Sequence, residues 1–369
     1  MKRNCLPQHH VSDAGAAVVD LVTSCELDAL ERGAWILGAG GGGETTVGRM
    51  LADRAIGEGV PLMGRAALAR VGVEAHVLPI GIIGASSTVG AEFLPSGQEC
   101  LLVARKIEEL TRVALGAVVA MQAGGINALT GLAAAADLGL PLLDADLAGG
   151  AVPRLDQLSN GSWEEPVVPV VLVDAVGRVA VFDTADSDSS LDSSTLERLV
   201  RSFVGVSTGW AAIGFRPIQR DRTPDLVVWG SMTRAINLGR AQATQNSDWD
   251  HYQPELDSQV LAVGRVVGLH RVRDTKGWCL VETDRGQLCR LDMQTEYLLV
   301  TVDGLLAASV PDVIVVLERH TGIPLATDNL RLDFEVVVIR LAALPYPDDP
   351  RLQHELSPAG YGLESSSRK

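Results

Sequence analysis

At 369 residues, 47% hydrophobic but only 4% aromatic, the chain can bury a large aliphatic core and is long enough for two or three domains. A net charge of −15 with no Lys- or Arg-rich segment disfavours nucleic acid as a partner, and no uninterrupted apolar run reaches the roughly 18 residues of a membrane span. Five cysteines without C-x-x-C spacing signal neither a disulfide framework nor a cysteine zinc site, so a reducing cytoplasm is the expected setting.

In chain order, the basic start Met1-Lys2-Arg3-Asn4 gives way to Gln8, His9, His10 and Asp13 before any apolar stretch of signal-peptide length. Thr23 and Glu26 form a T-x-x-E capping box ahead of Leu27, Leu30, Ala34 and Leu37, which recur at helical steps. That helix stops at the run Gly38-Ala39-Gly40-Gly41-Gly42-Gly43-Glu44-Thr45-Thr46-Val47-Gly48. With so little side chain, the backbone there can approach an anion or a planar ligand closely. Gly38, Gly40 and Gly43 formally spell G-x-G-x-x-G, but a dinucleotide site needs a strand before the glycines, and the preceding residues read as helix. A tight structural turn is the alternative to a binding loop.

Further on, Leu102, Val103, Ile107, Leu110, Val113 and Ala114 make a helical stripe ended by Gly116, and Ala117-Val118-Val119-Ala120-Met121 reads as a buried strand. A helix from about Ala128 to Leu138 and the short run Pro141-Leu142-Leu143 follow. Strand, helix, strand implies parallel pairing, and such sheets bind ligands beyond the carboxyl ends of their strands. Two polar clusters fall there: Gln122-Ala123-Gly124-Gly125-Ile126-Asn127 and Asp144-Ala145-Asp146-Leu147-Ala148-Gly149-Gly150. In the second half, Leu196 to Val204 and Met232 to Thr244 are helical, whereas Gln259 to Val337 is rich in Val and Leu with many short turns. The expected architecture is a multidomain α and β protein. An α/β N-terminal domain with a parallel sheet covers residues 12–178; a second part covers 179–345, with a β-rich module at about 256–345; a tail covers 346–369.

The glycine run, Gly124-Gly125-Ile126-Asn127 and Asp144-Ala145-Asp146 together resemble the S-methyl thiohydantoin desulfurase family. Glu92-Phe93-Leu94-Pro95-Ser96-Gly97-Gln98-Glu99, Gly264-Arg265-Val266-Val267 and Pro311-Asp312-Val313-Ile314 extend the resemblance, in order, over nearly the whole length. It implies chemistry on five-membered hydantoin-like rings, with hydrolytic removal of sulfur from an S-methylated thiohydantoin as the named activity. It also implies the company of a hydantoinase- or oxoprolinase-type partner. The chain departs from the family at charged positions. Gln122 stands where Glu is usual, Phe93 where Lys is, Gly150 where Arg is, and Arg154 where Glu is. A changed, less charged substrate follows from those losses, with retained parent activity and an inactive relative as the alternatives.

Displacing an alkylthio group from an amidine-like ring carbon needs activated water, stabilisation of a tetrahedral intermediate and a proton for the departing sulfur or ring nitrogen. Asp144, Asp146 and Glu92 can supply base and acid, and two neighbouring carboxyls at a strand end should push one pKa upward. The N–H groups of Gly41, Gly42 and Gly43 are candidates for the oxyanion site, and Gly40, Gly124 and Gly125 for contact with substrate. Asn127 either positions a ring carbonyl or caps a helix. Asp144 and Asp146, with Glu92, are also the candidates for a divalent metal, although no H-E-x-x-H or similar histidine pair accompanies them, and the cofactor stays unassigned. Ser86, Ser87 and Ser96 lack a nucleophile elbow, and Cys100 reads as core. A small-molecule substrate is expected, with a homo-oligomer left open. The runners-up to an enzyme are a non-catalytic partner or regulator and a glycine-loop nucleotide-binding module.

Overall fold

The structure, a computed structural model, describes residues 10–11, 17–18, 20–38, 40–84, 93–161, 166–185, 191–244, 258–271 and 276–363. Strands β1 (His10–Val11) and β2 (Ala17–Val18) pair with each other. Strand β3 (Leu21–Val22) leads into helix α1 (Leu27–Leu37), whose approach is fixed by Glu26 accepting bonds from the Thr23 N–H at 3.0 Å and the Thr23 hydroxyl at 2.6 Å. The glycine run then separates α1 from α2 (Thr45–Ala55). There follow β4 (Val60–Met63), β5 (Ala75–Gly84), α3 (Glu99–Thr111), β6 (Ala114–Ala120), α4 (Ile126–Leu138) and β7 (Leu142–Asp146). The helical stripe read as far as Ala114 stops earlier, because Arg112 turns to φ 59° and closes α3 at Thr111. Asp144 and Asp146 lie within β7, not beyond it.

Strands β8 (Val170–Asp174) and β9 (Val179–Phe182), helix α5 (Ser193–Val206), strands β10 (Trp210–Gly214), β11 (Ile218–Gln219) and β12 (Val228–Trp229), and helix α6 (Ser231–Thr244) complete the first unit. Its ten-stranded sheet has the path β3-β4-β7-β6-β5-β10-β8-β9, with β11 on β5 and β12 on β7. The centre, β4, β7, β6 and β5, is parallel, and the flanks are antiparallel. Two-sided burial explains the continuous apolar runs in these strands. One face packs against α1, α2, α4 and α6, and the other against α5 and the loops around Leu155 and Leu226. Helices α1 and α6 meet backbone to backbone, which requires small residues at the contact. A Cβ on Gly33 would lie 1.6 Å from the Ala235 carbonyl oxygen, and one on Gly239 1.8 Å from that of Ala29.

The remaining strands form a seven-stranded antiparallel module of β13 (Ser258–His270), β14 (Gly277–Thr283), β15 (Leu288–Met293), β16 (Tyr297–Val302), β17 (Leu305–Ser309), β18 (Val313–Glu318) and β19 (Glu335–Leu341), followed by α7 (Pro350–Glu355). Strands β18 and β19 are buried on both faces. Val313, Val315, Leu317, Val337 and Ile339 join the core beneath α1, while Ile314, Val316, Val336 and Val338 fill the module's own interior. Period-two alternation thus docks the module on the first unit. Cys100, Cys279 and Cys289 are free, and Cys25 is disulfide-bonded, a pairing the cysteine spacing did not signal. No helix among the described residues is long and apolar enough to cross a membrane.

Candidate functional site

Three glycine-bearing segments meet at the carboxyl ends of β6 and β7. The loop after α1 turns tightly, with the Gly41 and Gly42 N–H groups donating to the Gly38 carbonyl at 2.8 and 3.0 Å. Two of the three N–H groups nominated for an oxyanion are therefore engaged within the loop. The Gly42 carbonyl accepts from the Ile126 N–H at 3.0 Å, and the Gly125 N–H reaches back to Ala34 O at 2.7 Å. A Cβ on Gly125, which sits at φ 67°, would fall 1.6 Å from Gly42 O; one on Gly124 would fall 2.6 Å from Leu37 O and 2.9 Å from Ala151 N. The glycines at 42, 124 and 125 are needed because main chain packs on main chain.

Asp146 links the loops that follow β6 and β7. Its Oδ2 accepts from the Ala123 N–H at 2.6 Å and its Oδ1 from the Gly149 N–H at 2.8 Å. The side chain is wholly enclosed, and burial pushes its pKa up to about 7 against those donors, which favour the ionised form. Asp144 shares its face of the strand but turns to α6, accepting from the Thr233 N–H at 2.8 Å, while its carbonyl accepts from Gly230 N at 2.7 Å. It caps the helix from outside, as a short acidic side chain at a helix N-terminus does. Burial raises its pKa as well. Both aspartates thus present oxygens to N–H donors, an arrangement unsuited to a cation. Among the described residues no three His, Cys, Asp or Glu side chains are grouped to hold a metal.

Asn127 uses both arms of its amide on Ile82 of β5: its Oδ1 accepts from the N–H at 2.6 Å and its Nδ2 donates to the carbonyl at 3.1 Å. Glu92 lies outside the described residues. Its motif ends at Glu99, which accepts from the N–H groups of Ser96 and Gly97 at 2.9 and 3.0 Å and so starts α3. A cavity between α2, α3 and α4 is lined by Arg54, Glu99, Cys100 and Asp137; burial lifts the Cys100 thiol to about 12, far from a thiolate nucleophile.

A second cavity opens where the loop after β7, the β module and the C-terminal segment meet. Its wall includes Gly150, Val152, Glu296, Val313, Tyr346 and Tyr361. Gln122 donates to Val152 O at 2.8 Å, and Tyr346 donates to Ala148 O at 2.6 Å. Arg154 pairs with Asp156 at 2.8 Å and with Glu355 of α7 at 2.6 Å, and lies over the Tyr361 ring. Glu296 was not singled out in the sequence. It immediately precedes β16, is 5% exposed, and stands against Gly41 so closely that a Cβ there would lie 2.0 Å from its Oε1. Isolated acidic residues at strand ends are commonplace, so only its burial against the glycine loop distinguishes it.

A family model described as the S-Me-THD-like N-terminal domain matches residues 25–184, and one described as the S-Me-THD-like C-terminal domain matches residues 191–368. A protein from Chromobacterium violaceum solved by X-ray crystallography superposes with a TM-score of 0.75 at 23% identity, over 92% of this chain and 96% of that one. No curated protein matches. The crystal structure shares the fold, and the two domain matches together span nearly the entire sequence: the chain belongs to the S-Me-THD-like family.

Proposed function

We propose that the chain is a hydrolase-type enzyme acting on a small hydantoin- or thiohydantoin-like ring, with a substrate altered from the family's. The observation that carries this is the convergence of the loops after β6 and β7 on buried Asp146, with the glycine loop packed on the first of them, near a small cavity walled by Gly150. Parallel sheets bind ligands at that end. The glycine run follows α1 rather than a strand, which removes the context a dinucleotide site requires.

In this mechanism water adds to the ring carbon bearing the alkylthio group, forming the C–O bond of a tetrahedral intermediate, which collapses with breaking of the C–S bond, and the thiol leaves with the proton the water gave up. The protein must take that proton and return it, and must hold the ring still. Asp146 fixes the loops that form one wall. Gly150 and Phe93 cannot grip a carboxylate, so a neutral ring is the preferred substrate. The test is thiol release from S-methyl thiohydantoins with and without a carboxylate substituent. Release from the neutral ring at the higher kcat/KM is expected; no release from either overturns the enzyme and leaves a non-catalytic partner of a hydantoinase- or oxoprolinase-type protein.

A further inference from the structure

We infer that strand β9 is a self-association edge: two copies of the chain pair their β9 strands antiparallel about a twofold axis at Ala180, joining their ten-stranded sheets into one.

Strand β9 ends the path of the sheet, and among the described residues no strand lies on its outer side. It runs in unbroken register with β8, from Val173 opposite Val179 to Val170 opposite Phe182. The Asp174 N–H donates to the Arg178 carbonyl at 3.0 Å, so antiparallel alternation turns the main chain of Arg178, Ala180 and Phe182 toward β8 and that of Val179 and Val181 outward. The side chains of Val179 and Val181 are themselves 51% and 38% exposed, beside the buried Val173 and Val171 of β8.

The other edges of the two large sheets are blunted. Strand β3 is two residues long. Strand β17 shifts register against β16 between Val300 and Thr301. Strand β18 is covered by the chain returning along it, with the Leu325 N–H donating to Val316 O and the Glu318 N–H to Ile323 O, both at 2.8 Å. Strand β9 has no Pro, no Lys and no bulge, the devices that keep an exposed edge from pairing.

The pattern of the strand selects a second copy as its occupant. Residues opposite one another in a sheet share a face, and here they must also present outward main chain. Centring the axis on Ala180 meets both conditions: Val179 of each copy exchanges N–H···O bonds with Val181 of the other, and β-branched side chains lie on β-branched side chains. Centring it on Val181 would instead set the Asp183 carboxylate on Val179. The ends of the strand match as well. Arg178 precedes β9 and Asp183 follows it, so antiparallel pairing brings each Arg178 to the end of the other strand that carries Asp183 and keeps the two arginines apart. The Arg178 side chain stays 55% exposed although its Nε bonds Asp174, and Asp183 is exposed with no Lys, Arg or His partner among the described residues. Such self-complementarity is what an isologous twofold contact requires.

The experiment measures the mass of the full chain by light scattering over a concentration series, as wild type, V181K, V179P and L305K, together with oxidative cross-linking of A180C. Wild type should reach twice the 39.0 kDa of one chain. V181K sets a charge on the opposing Val179, and V179P removes an outward N–H that an edge strand can spare. Each should weaken association on the order of 10²-fold while thermal unfolding stays near that of wild type. L305K alters the exposed start of β17 and should leave the mass unchanged. A180C should cross-link to itself, because facing residues of a non-hydrogen-bonded pair stand about 4.5 Å apart at Cα, within disulfide reach. Monomer mass for wild type overturns the inference. A dimer that survives V181K and V179P, or that L305K abolishes, overturns β9 as its edge, and a dimer in which A180C does not cross-link overturns the pairing about Ala180. A monomer that binds a different protein, with that binding lost in V181K, overturns the second copy as occupant.

Discussion

The two sides of the second cavity are built on different principles. On the side of the parallel sheet, contact is main chain on main chain: Gly125 against Gly42, Gly124 against Leu37 and Ala151, and Asp146 stapled by two N–H groups. On the side of the β module and C-terminal segment, most contact is made by side-chain ends, with Glu296 against Gly41, Val313 beside Gly150 and Tyr346 reaching Ala148 O, while Gly40 alone faces module main chain at Thr327. Backbone cannot retreat from an intruding atom, whereas a side-chain end can rotate. One wall is therefore fixed and the other adjustable, which suits a rigid cradle closed by a separate element.

The contrast is tested most severely by paired glycine substitutions. Gly125→Ala meets a carbonyl oxygen at 1.6 Å and must hold φ 67°, so it should cost more than about 4 kcal/mol or abolish folding. Gly41→Ala meets only the carboxyl of Glu296 and should cost about 1–3 kcal/mol. Equal losses in denaturant unfolding would mean that the module side is as unyielding as the sheet side.

The next effect is on stability against pH. Asp146 and Glu296, both with folded pKa values raised to about 7, hold a proton that the unfolded chain releases above the ordinary carboxylate range. Their contribution is complete at acid pH and is lost as pH rises through about 7, at roughly 1.4 kcal/mol per pH unit for each group. Unfolding free energy should fall between pH 5 and 7, and either Asp146→Asn or Glu296→Gln should flatten the slope. A stability rising across that window would contradict both assignments.

A smaller change is expected from Asp146→Asn at pH 5, where an amide NH₂ must face the Ala123 or Gly149 N–H. A cost of about 1–3 kcal/mol follows, and it should shrink by pH 8, where the wild type carries an ionised, enclosed carboxyl. The smallest effect belongs to Asp144→Asn. Asn caps a helix nearly as well as Asp, so less than about 1 kcal/mol should be lost and thiol release should be retained. A large loss of rate there would return Asp144 to the catalytic group.

Much of the fold was legible because it depends on local rules. The Thr23–Glu26 box, the glycine stop after α1 and the alternation of the module strands all depend on neighbours a few residues away. The end of α3 was misread because Arg112 in the left-handed region carries no compositional signal. Arg154 illustrates a deeper limit. In sequence it was a lost family carboxylate beside Gly150; in the structure it joins Asp156 to Glu355, some two hundred positions away, so Arg154→Glu would set three carboxyls together.

Sequence by itself determined the α/β unit, the antiparallel module and the loops that carry glycine, because periodicity and backbone freedom are properties of short stretches. The tertiary structure decided which polar groups are buried and which main-chain partners they meet. Asp144, Asp146 and Asn127 look chemically available along the chain, yet each is met by a backbone partner from another element. Glu296 looks like an ordinary acidic residue in a turn, and only docking of the module buries it against Gly41. Burial and hydrogen-bond satisfaction arise from contacts between distant segments, and those contacts set whether a carboxyl braces the fold or can act on a ligand.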